Sequence, residues 1–264
     1  MIGFCPLASG SKGNCIYLGT SQTKILIDAG LSGKATINKL AAIDVDVGDI
    51  DAILISHEHT DHVRGLKVLA CRMGIPVFAN NGTASGIVER IDDCPSFKIF
   101  STGETFEFGD IAVHSFSVQH DAADPVAFTV HIDDIKLGFC TDLGFATSLV
   151  KMHLKDCDYL YVEANHQPTM VHACSRPMIY KQRVLGRCGH LSNEACGDLL
   201  REVVDTKVKH IHLAHLSQEC NHPDTAIEVV SEKLEGVGHL PEISIAWQDK
   251  ISKAVDFHAS CVAK

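Results

Sequence analysis

The sequence predicts a layered α/β protein built on central sheets. Three observations predict it. Short, β-branched apolar runs alternate with stretches whose apolar residues recur at helical spacing. These elements fall into two comparable halves, and mixed strands and helices of this kind pack as layers. No low-complexity segment or linker interrupts the chain, so its 264 residues, 45% of them hydrophobic, predict one domain, 1–264, with a sizeable core.

Taken in order, residues 2–8, 14–18 and 24–27 read as a β-meander. The first loop, Ser9-Gly10-Ser11-Lys12-Gly13, lacks the Gly-Lys-Ser/Thr end of a phosphate-binding loop and reads first as a glycine-rich hairpin turn. Residues 32–43 have helical spacing, with Ile37, Leu40 and Ile43 on one face. A buried strand is expected at 52–55. A helix follows at 62–73, stopped by Gly74 and Pro76, then a strand at 76–79 and a helix at 83–91. The segment 97–140 is mostly β, with strands at 105–108, 111–118, 126–132 and 136–140. Helices are expected at 147–154, 177–185, 193–204 and 223–234, and strands at 159–162, 208–213 and 243–246.

Composition narrows the function. No apolar run approaches the ~20 residues of a membrane span, and the N-terminus lacks the basic start and apolar core of a secretory signal. The eleven cysteines follow no repeating framework and show no Cys-x-x-Cys pair. Most sit in apolar contexts, as Cys5, Cys71 and Cys140 do, which reads as a reduced, cytoplasmic protein. A net charge of -10 argues against tight non-specific nucleic-acid binding through the whole surface. It leaves room for a nuclease with metal ions and a local basic patch.

The chemistry begins where the strand at 52–55 ends. His57, His59, Asp61 and His62 place three imidazoles and a carboxylate within six positions. Such groups compete for protons unless a cation lies between them, and neutral imidazole and carboxylate are ordinary ligands of divalent metals. A tight loop at the strand end can turn His57 and His59 toward one ion and Asp61 and His62 toward a second. That is the logic of two-metal hydrolysis, with ions roughly 3.5–4 Å apart. Further ligands are expected at later strand ends. His120 follows one strand, with Asp121 and Asp124 as neighbouring competitors. Asp142 follows another, and His210, His212 and His215 end a third. The remaining histidines His114, His131, His153, His172, His222, His239 and His258 are expected to be structural or on the surface.

The stretch His57-x-His59-x-Asp61-His62 resembles the signature of the metallo-β-lactamase superfamily. The resemblance implies a four-layer αββα sandwich. Carried over position by position, it implies His57, His59 and His120 on one ion, Asp61, His62 and His215 on the other, and Asp142 bridging. Two divalent ions, Zn or Mn, are the implied cofactors.

Other blocks narrow the branch. Ser9-Gly-Ser-Lys-Gly-Asn14, His120-Asp-Ala-Ala-Asp-Pro125, Glu163-Ala-Asn-His166 and Gly189-His190-Leu-Ser-Asn193 resemble the YycJ/WalJ family, small proteins related to tRNase Z and described as DNA exonucleases. The resemblance covers nearly the whole chain. It implies a nucleic-acid substrate, DNA first, and nominates His190 as proton donor oriented by Glu163. His166 is the competitor, and Asp61 is a further holder of the attacking water. Residues 170–189 carry no acid but include Arg176, Lys181, Arg183 and Arg187, read here as a rail for the phosphate backbone. The alternative is a small-molecule hydrolase, either a cyclic phosphodiesterase or a thioesterase of the glyoxalase II kind.

Overall fold

The computed structural model describes residues 1–91 and 95–257, so His258 lies outside the described residues. The chain divides into two compact units. One is formed by residues 1–112, 122–124 and the segment from Trp247 on, the other by 113–121 and 125–246.

The first unit is organised on the sheet β14-β1-β2-β3-β4-β5-β6. Strands β1 (Gly3–Ala8), β2 (Cys15–Gly19) and β3 (Lys24–Ile27) form the expected antiparallel meander. From β3 the pairing turns parallel through β4 (Ala52–Leu54), β5 (Val77–Asn80) and β6 (Phe97–Phe100). Parallel pairing needs crossovers, and α1 (Gly33–Ala41) supplies the one between β3 and β4. A short strand, β14 (Val255–Asp256), pairs antiparallel with β1 and had no counterpart in the sequence reading. Ile53, Leu54 and Ile55 are wholly inaccessible to solvent, and each contributes ~1.5–3 kcal/mol by burial. Ile53 and Ile55 join Leu7, Tyr17, Leu26, Leu40 and Val77 in one continuous core.

The expected helix 62–73 is broken in two, α2 (Thr60–Val63) and α3 (Leu66–Leu69). The break falls at Gly65, whose N–H donates to Ala29 O at 2.7 Å. Tertiary docking against the strand-end loop at Ala29 outweighs helical continuity here. The expected helix 83–91 runs instead as α4 (Asn81–Val88), capped by the Asn80 side chain on Thr83 N.

The second sheet is ordered β13-β12-β11-β10-β9-β8-β7. Its strands are β7 (Thr105–Phe108), β8 (Ile111–Ser117), β9 (Val126–Ile132), β10 (Ile135–Cys140), β11 (Tyr159–Glu163), β12 (His210–Ala214) and β13 (Glu242–Ile245). The hairpin β9–β10 is antiparallel, and β10 to β13 are parallel. Crossovers are provided by α5 (Ser148–Leu154), by α8 (Asn193–Val203) and by α9 (Pro223–Lys233). Two short helices, α6 (Pro168–Ala173) and α7 (Met178–Leu185), share the small apolar cluster of Val171, Val184 and Cys220. The sequence reading included α7 but not α6.

In both units the polar residues of interest lie at the carboxyl ends of parallel strands, where ligands bind in open α/β sheets. Register explains the convergence in the second unit. Cys140 aligns with Val162, and Val162 with Leu213. Asp142, Glu163 and His215 therefore leave the sheet at nearly one level.

Among the described residues, no helix is long and apolar enough to cross a membrane, and nine cysteines are free. Burial pushes the Cys5 thiol up to about 11 and the Cys157 thiol up to about 12. Neither is a thiolate near neutrality, so neither is a ready nucleophile.

Candidate metal centre

In the first unit the cluster is built on the turn after β4. Ile27 and Leu54 are register partners, so Asp28 and Ser56 emerge side by side. The Ser56 N–H and Oγ donate to Asp28 Oδ1 at 2.9 and 3.0 Å. Asp28 Oδ2 lies 2.8 Å from His62 Nδ1. His57 Nδ1 lies 3.0 Å from Ser56 Oγ. The rings of His57 and His62 are 4.0 Å apart, and His57 Nε2 is 3.1 Å from His59 Nδ1. Asp61 Oδ2 is 3.6 Å from His62 Nε2. His57, His59, Asp61 and His62 thus gather as expected.

The glycine-rich loop proves to be the β1–β2 hairpin, and it has a second role. Asn14 N–H donates to Asp61 O at 2.8 Å, and the Asn14 side-chain amide lies 3.0 Å from His62 Nε2. Gly30 permits this docking, because a Cβ there would stand 1.5 Å from Asp61 O. On the far side, buried Glu58 accepts from Ala123 N–H at 2.9 Å through Oε1. Asp124 accepts from Thr102 Oγ1 at 2.8 Å.

In the second unit Glu163, wholly buried, is the hub. Its Oε1 lies 2.9 Å from both His190 Nδ1 and His215 Nδ1, and its Oε2 accepts from the N–H groups of Leu143 and Leu191 at 3.1 and 3.0 Å. Burial would raise the Glu163 pKa, but His190 first and then His215 outweigh it and hold the carboxylate well below its usual range. Asp142 Oδ1 lies 3.5 Å from His215 Nδ1, 3.6 Å from His190 Nδ1 and 3.8 Å from His120 Nε2. Asp142, Glu163, His190 and His215 each offer one atom to a set in which all lie within 4.8 Å. His120 Nδ1 donates to Gly189 O at 3.1 Å. Gly144 sets that approach: a Cβ there would meet Arg187 O at 2.2 Å. Asn165 Nδ2 donates to His215 O at 2.7 Å. Burial lowers His120 and drives His166 down to about 4, so both imidazoles are neutral at pH 7.

Asp28, Asp142 and His215 share a backbone signature. They have φ of +61°, +58° and +54°, the left-handed region that non-glycine residues rarely enter. Such conformations cost of order 1–3 kcal/mol each and persist where the surroundings over-determine them, which is common at functional sites.

These residues fit a divalent metal. In His57, His62, His120 and His215 alike, Nδ1 faces an oxygen: of Ser56, Asp28, Gly189 and Glu163 respectively. Such partners fix the proton on Nδ1 and turn the Nε2 lone pair toward a ligand, the usual arrangement of metal-bound histidine; at His62 the Asn14 amide occupies that lone pair here and would give way to an ion. Sequence reasoning missed Asp28 and Ser56, which carry no local motif, and did not assign a role to Asn14 or Asn165, although both lie in blocks that carry the family resemblance.

The basic run is held locally. Arg176 pairs with Glu219, its Nε at 2.7 Å, and Arg183 pairs with Asp121 at 2.7 Å. Lys181 Nζ donates to His172 O at 2.6 Å, and the Arg187 guanidinium lies 4.7 Å over the Phe145 ring. Arg183 is linked to the site through Asp121, whose Oδ1 is also 3.4 Å from His120 Nε2.

Comparison with known proteins adds two levels of likeness. A profile of the β-lactamase superfamily domain matches residues 23–213. The exodeoxyribonuclease YycJ of Bacillus anthracis is 40% identical over 246 residues, 91% of this chain and 93% of that protein. The exodeoxyribonuclease WalJ of Streptococcus pneumoniae is 40% identical over 256 residues, 95% of this chain and 90% of that protein. Among solved structures, the metallo-β-lactamase fold protein YhfI from Bacillus subtilis gives a TM-score of 0.73 at 14% identity, covering 94% of this chain and 97% of that one. Human tRNase Z, short form, gives 0.65 at 16% identity, covering 96% and 100%. At such identities the solved structures speak to the fold alone, and the expected α/β sandwich of metallo-β-lactamase type is borne out.

Proposed function

We propose a function from one premise: the chain belongs to the β-lactamase superfamily and, within it, to the family of the YycJ and WalJ exodeoxyribonucleases. The protein is a metal-dependent nuclease that removes nucleotides from DNA ends. The observation that carries this is 40% identity to those exodeoxyribonucleases over nearly the full length of both chains. Residues 1–264 act as one catalytic domain, and the free cysteines support work in the reducing cytoplasm.

His57, His59 and His120 would hold one divalent ion, and Asp61, His62 and His215 a second, with Asp142 between them. Zinc and manganese both suit this mixture of imidazole and carboxylate. When bound, such ions polarise the phosphodiester and lower the pKa of water. The rest falls to the protein. Asp61 holds the attacking water. Glu163 fixes His190 through the 2.9 Å bond at Nδ1, which aims Nε2 outward to protonate the leaving oxygen. His166 is less suited to that role, because it is buried and its Nδ1 has no hydrogen-bond partner among the described residues. Arg183, beside His120, steadies the scissile strand, while Arg176, Lys181 and Arg187 line its approach.

The test is digestion of end-labelled single- and double-stranded DNA with zinc and with manganese. Release of nucleotides by wild type, and its loss in His57→Ala, is the expected result. Intact DNA under every condition rejects the reading.

A further inference from the structure

The first unit contains a cavity of about 230 Å³ lined by Thr60, Val63, Arg64, Lys67, Arg90 and Ile91. Thr60 and Val63 come from α2, Arg64 from the break before α3, and Lys67 from α3. None of His57, His59, Asp61 and His62 lines the cavity.

Several cations elsewhere on the chain are paired with carboxylates: Lys24 with Asp49, Lys151 with Glu202, Arg176 with Glu219, Arg183 with Asp121 and Lys233 with Asp198. Arg64 and Arg90 donate only to backbone carbonyls, of Lys12 at 3.4 Å and of Glu58 at 2.7 Å. Among the described residues, neither they nor Lys67 form an ion pair. Three cations thus converge on one cavity in a chain with 33 acidic and 23 basic residues. Charges of one sign around a concave site focus an attractive field on ions of the other sign. A volume of about 230 Å³ is below the roughly 300–1,000 Å³ of a drug-sized pocket, so the occupant is a fragment. Arginine forks suit phosphate oxygens, while Val63 and Ile91 offer an apolar wall for a sugar.

We propose that Arg64, Lys67 and Arg90 form a second phosphate subsite, which holds a backbone phosphate of the DNA away from the scissile bond. The proposal rests on the nuclease reading. Arg90 also ties the subsite to the carbonyl of Glu58, between His57 and His59, so a filled subsite braces the metal-binding turn.

The experiment is equilibrium binding of a fluorescent phosphorothioate oligonucleotide, which resists cleavage, to the metal-loaded protein over a salt series. The variants are Lys67→Ala and the double change Arg64→Ala/Lys67→Ala, with Lys98→Ala on β6 as control and thermal melts to check folding. Among the described residues Lys67 makes no hydrogen bond, so its variant stands if Arg64→Ala disturbs the fold. The expected loss is roughly threefold to tenfold per cation, alike for all sequences, with the salt slope falling by about one each. Wild-type affinity and slope in both variants, with DNA still cleaved, would overturn the subsite and leave the nuclease reading intact. Failure of the wild type to bind or cleave DNA would overturn both. A parallel titration with inorganic phosphate separates the sources: loss of orthophosphate binding with unchanged DNA binding would assign the cavity to free phosphate and overturn the proposal.

Discussion

The two clusters of candidate ligands, one in each unit, are built in different ways. In the first unit, His57, His59, Asp61 and His62 come from a single turn after β4, braced from behind by Asp28, Ser56 and Asn14. In the second, His120, Asp142, Glu163, His190 and His215 come from separate segments; the parallel register brings Asp142, Glu163 and His215 level, and hydrogen bonds to Gly189 O and Glu163 hold His120 and His190. The local cluster depends on a few short hydrogen bonds to one turn. The assembled cluster depends on a buried hub, Glu163, which touches both His190 and His215. A local cluster should lose its ligands one at a time, whereas a hub should fail as a unit.

The sharpest way to break the comparison is to remove one ligand from each half. His57→Ala and Asp142→Ala should each lower DNA cleavage by at least about 10³-fold, since metal-ion catalysis is removed. If either variant keeps most of its activity in a gel assay, that half is not part of the centre.

Glu163→Gln comes next. The amide keeps the shape but loses the charge that holds His190 and His215 in place. A kcat loss of roughly 10²–10⁴-fold is expected, along with a shifted acid or base limb in the pH–rate profile. A loss of stability with an unchanged pH profile would mean that Glu163 is only structural.

Asp28→Asn tests the local half. It should weaken metal affinity by about 10–100-fold, read by competition with a chelating dye, and excess metal should restore activity. Glu163→Gln should not be restored in this way, and that contrast separates a brace from a hub.

The smallest expected effect concerns pH and stability. Burial lowers His166 from 6.5 to about 4 in the folded chain. Between those values the unfolded chain binds the proton and the folded one does not, so stability falls as pH is lowered through that window. Thermal melts of wild type and His166→Asn between pH 7 and 4 should show a shallower fall in the variant. Parallel curves would place the buried proton deficit elsewhere.

How far the centre could be read from sequence follows the same division. His57 to His62 were legible because their pattern fits within one turn. His120, Asp142 and His215 needed the family resemblance to be chosen over Asp121, Asp124 and His212. The bracing residues were not legible: Asn14 and Asp28 lie 48 and 34 residues from the His62 they hold. The basic run was visible as composition, yet Glu219 and Asp121 pair with it across 43 and 62 residues. Most strands and the longer helices fell where periodicity put them. The helix expected at 62–73 did not, since its break at Gly65 is set by docking on Ala29 rather than by local propensity. Helix α6, only Pro168–Ala173, is too short to show a period.

The central proposal is that the two clusters supply the ligands of two ions. Metal content by plasma emission, measured on protein dialysed against limiting zinc or manganese, tests it most directly. Two ions per chain are expected in the wild type, with Asp142→Ala, which removes the proposed bridge, falling to one or fewer. A wild type that saturates at one ion, or an Asp142→Ala variant that retains both, would contradict it.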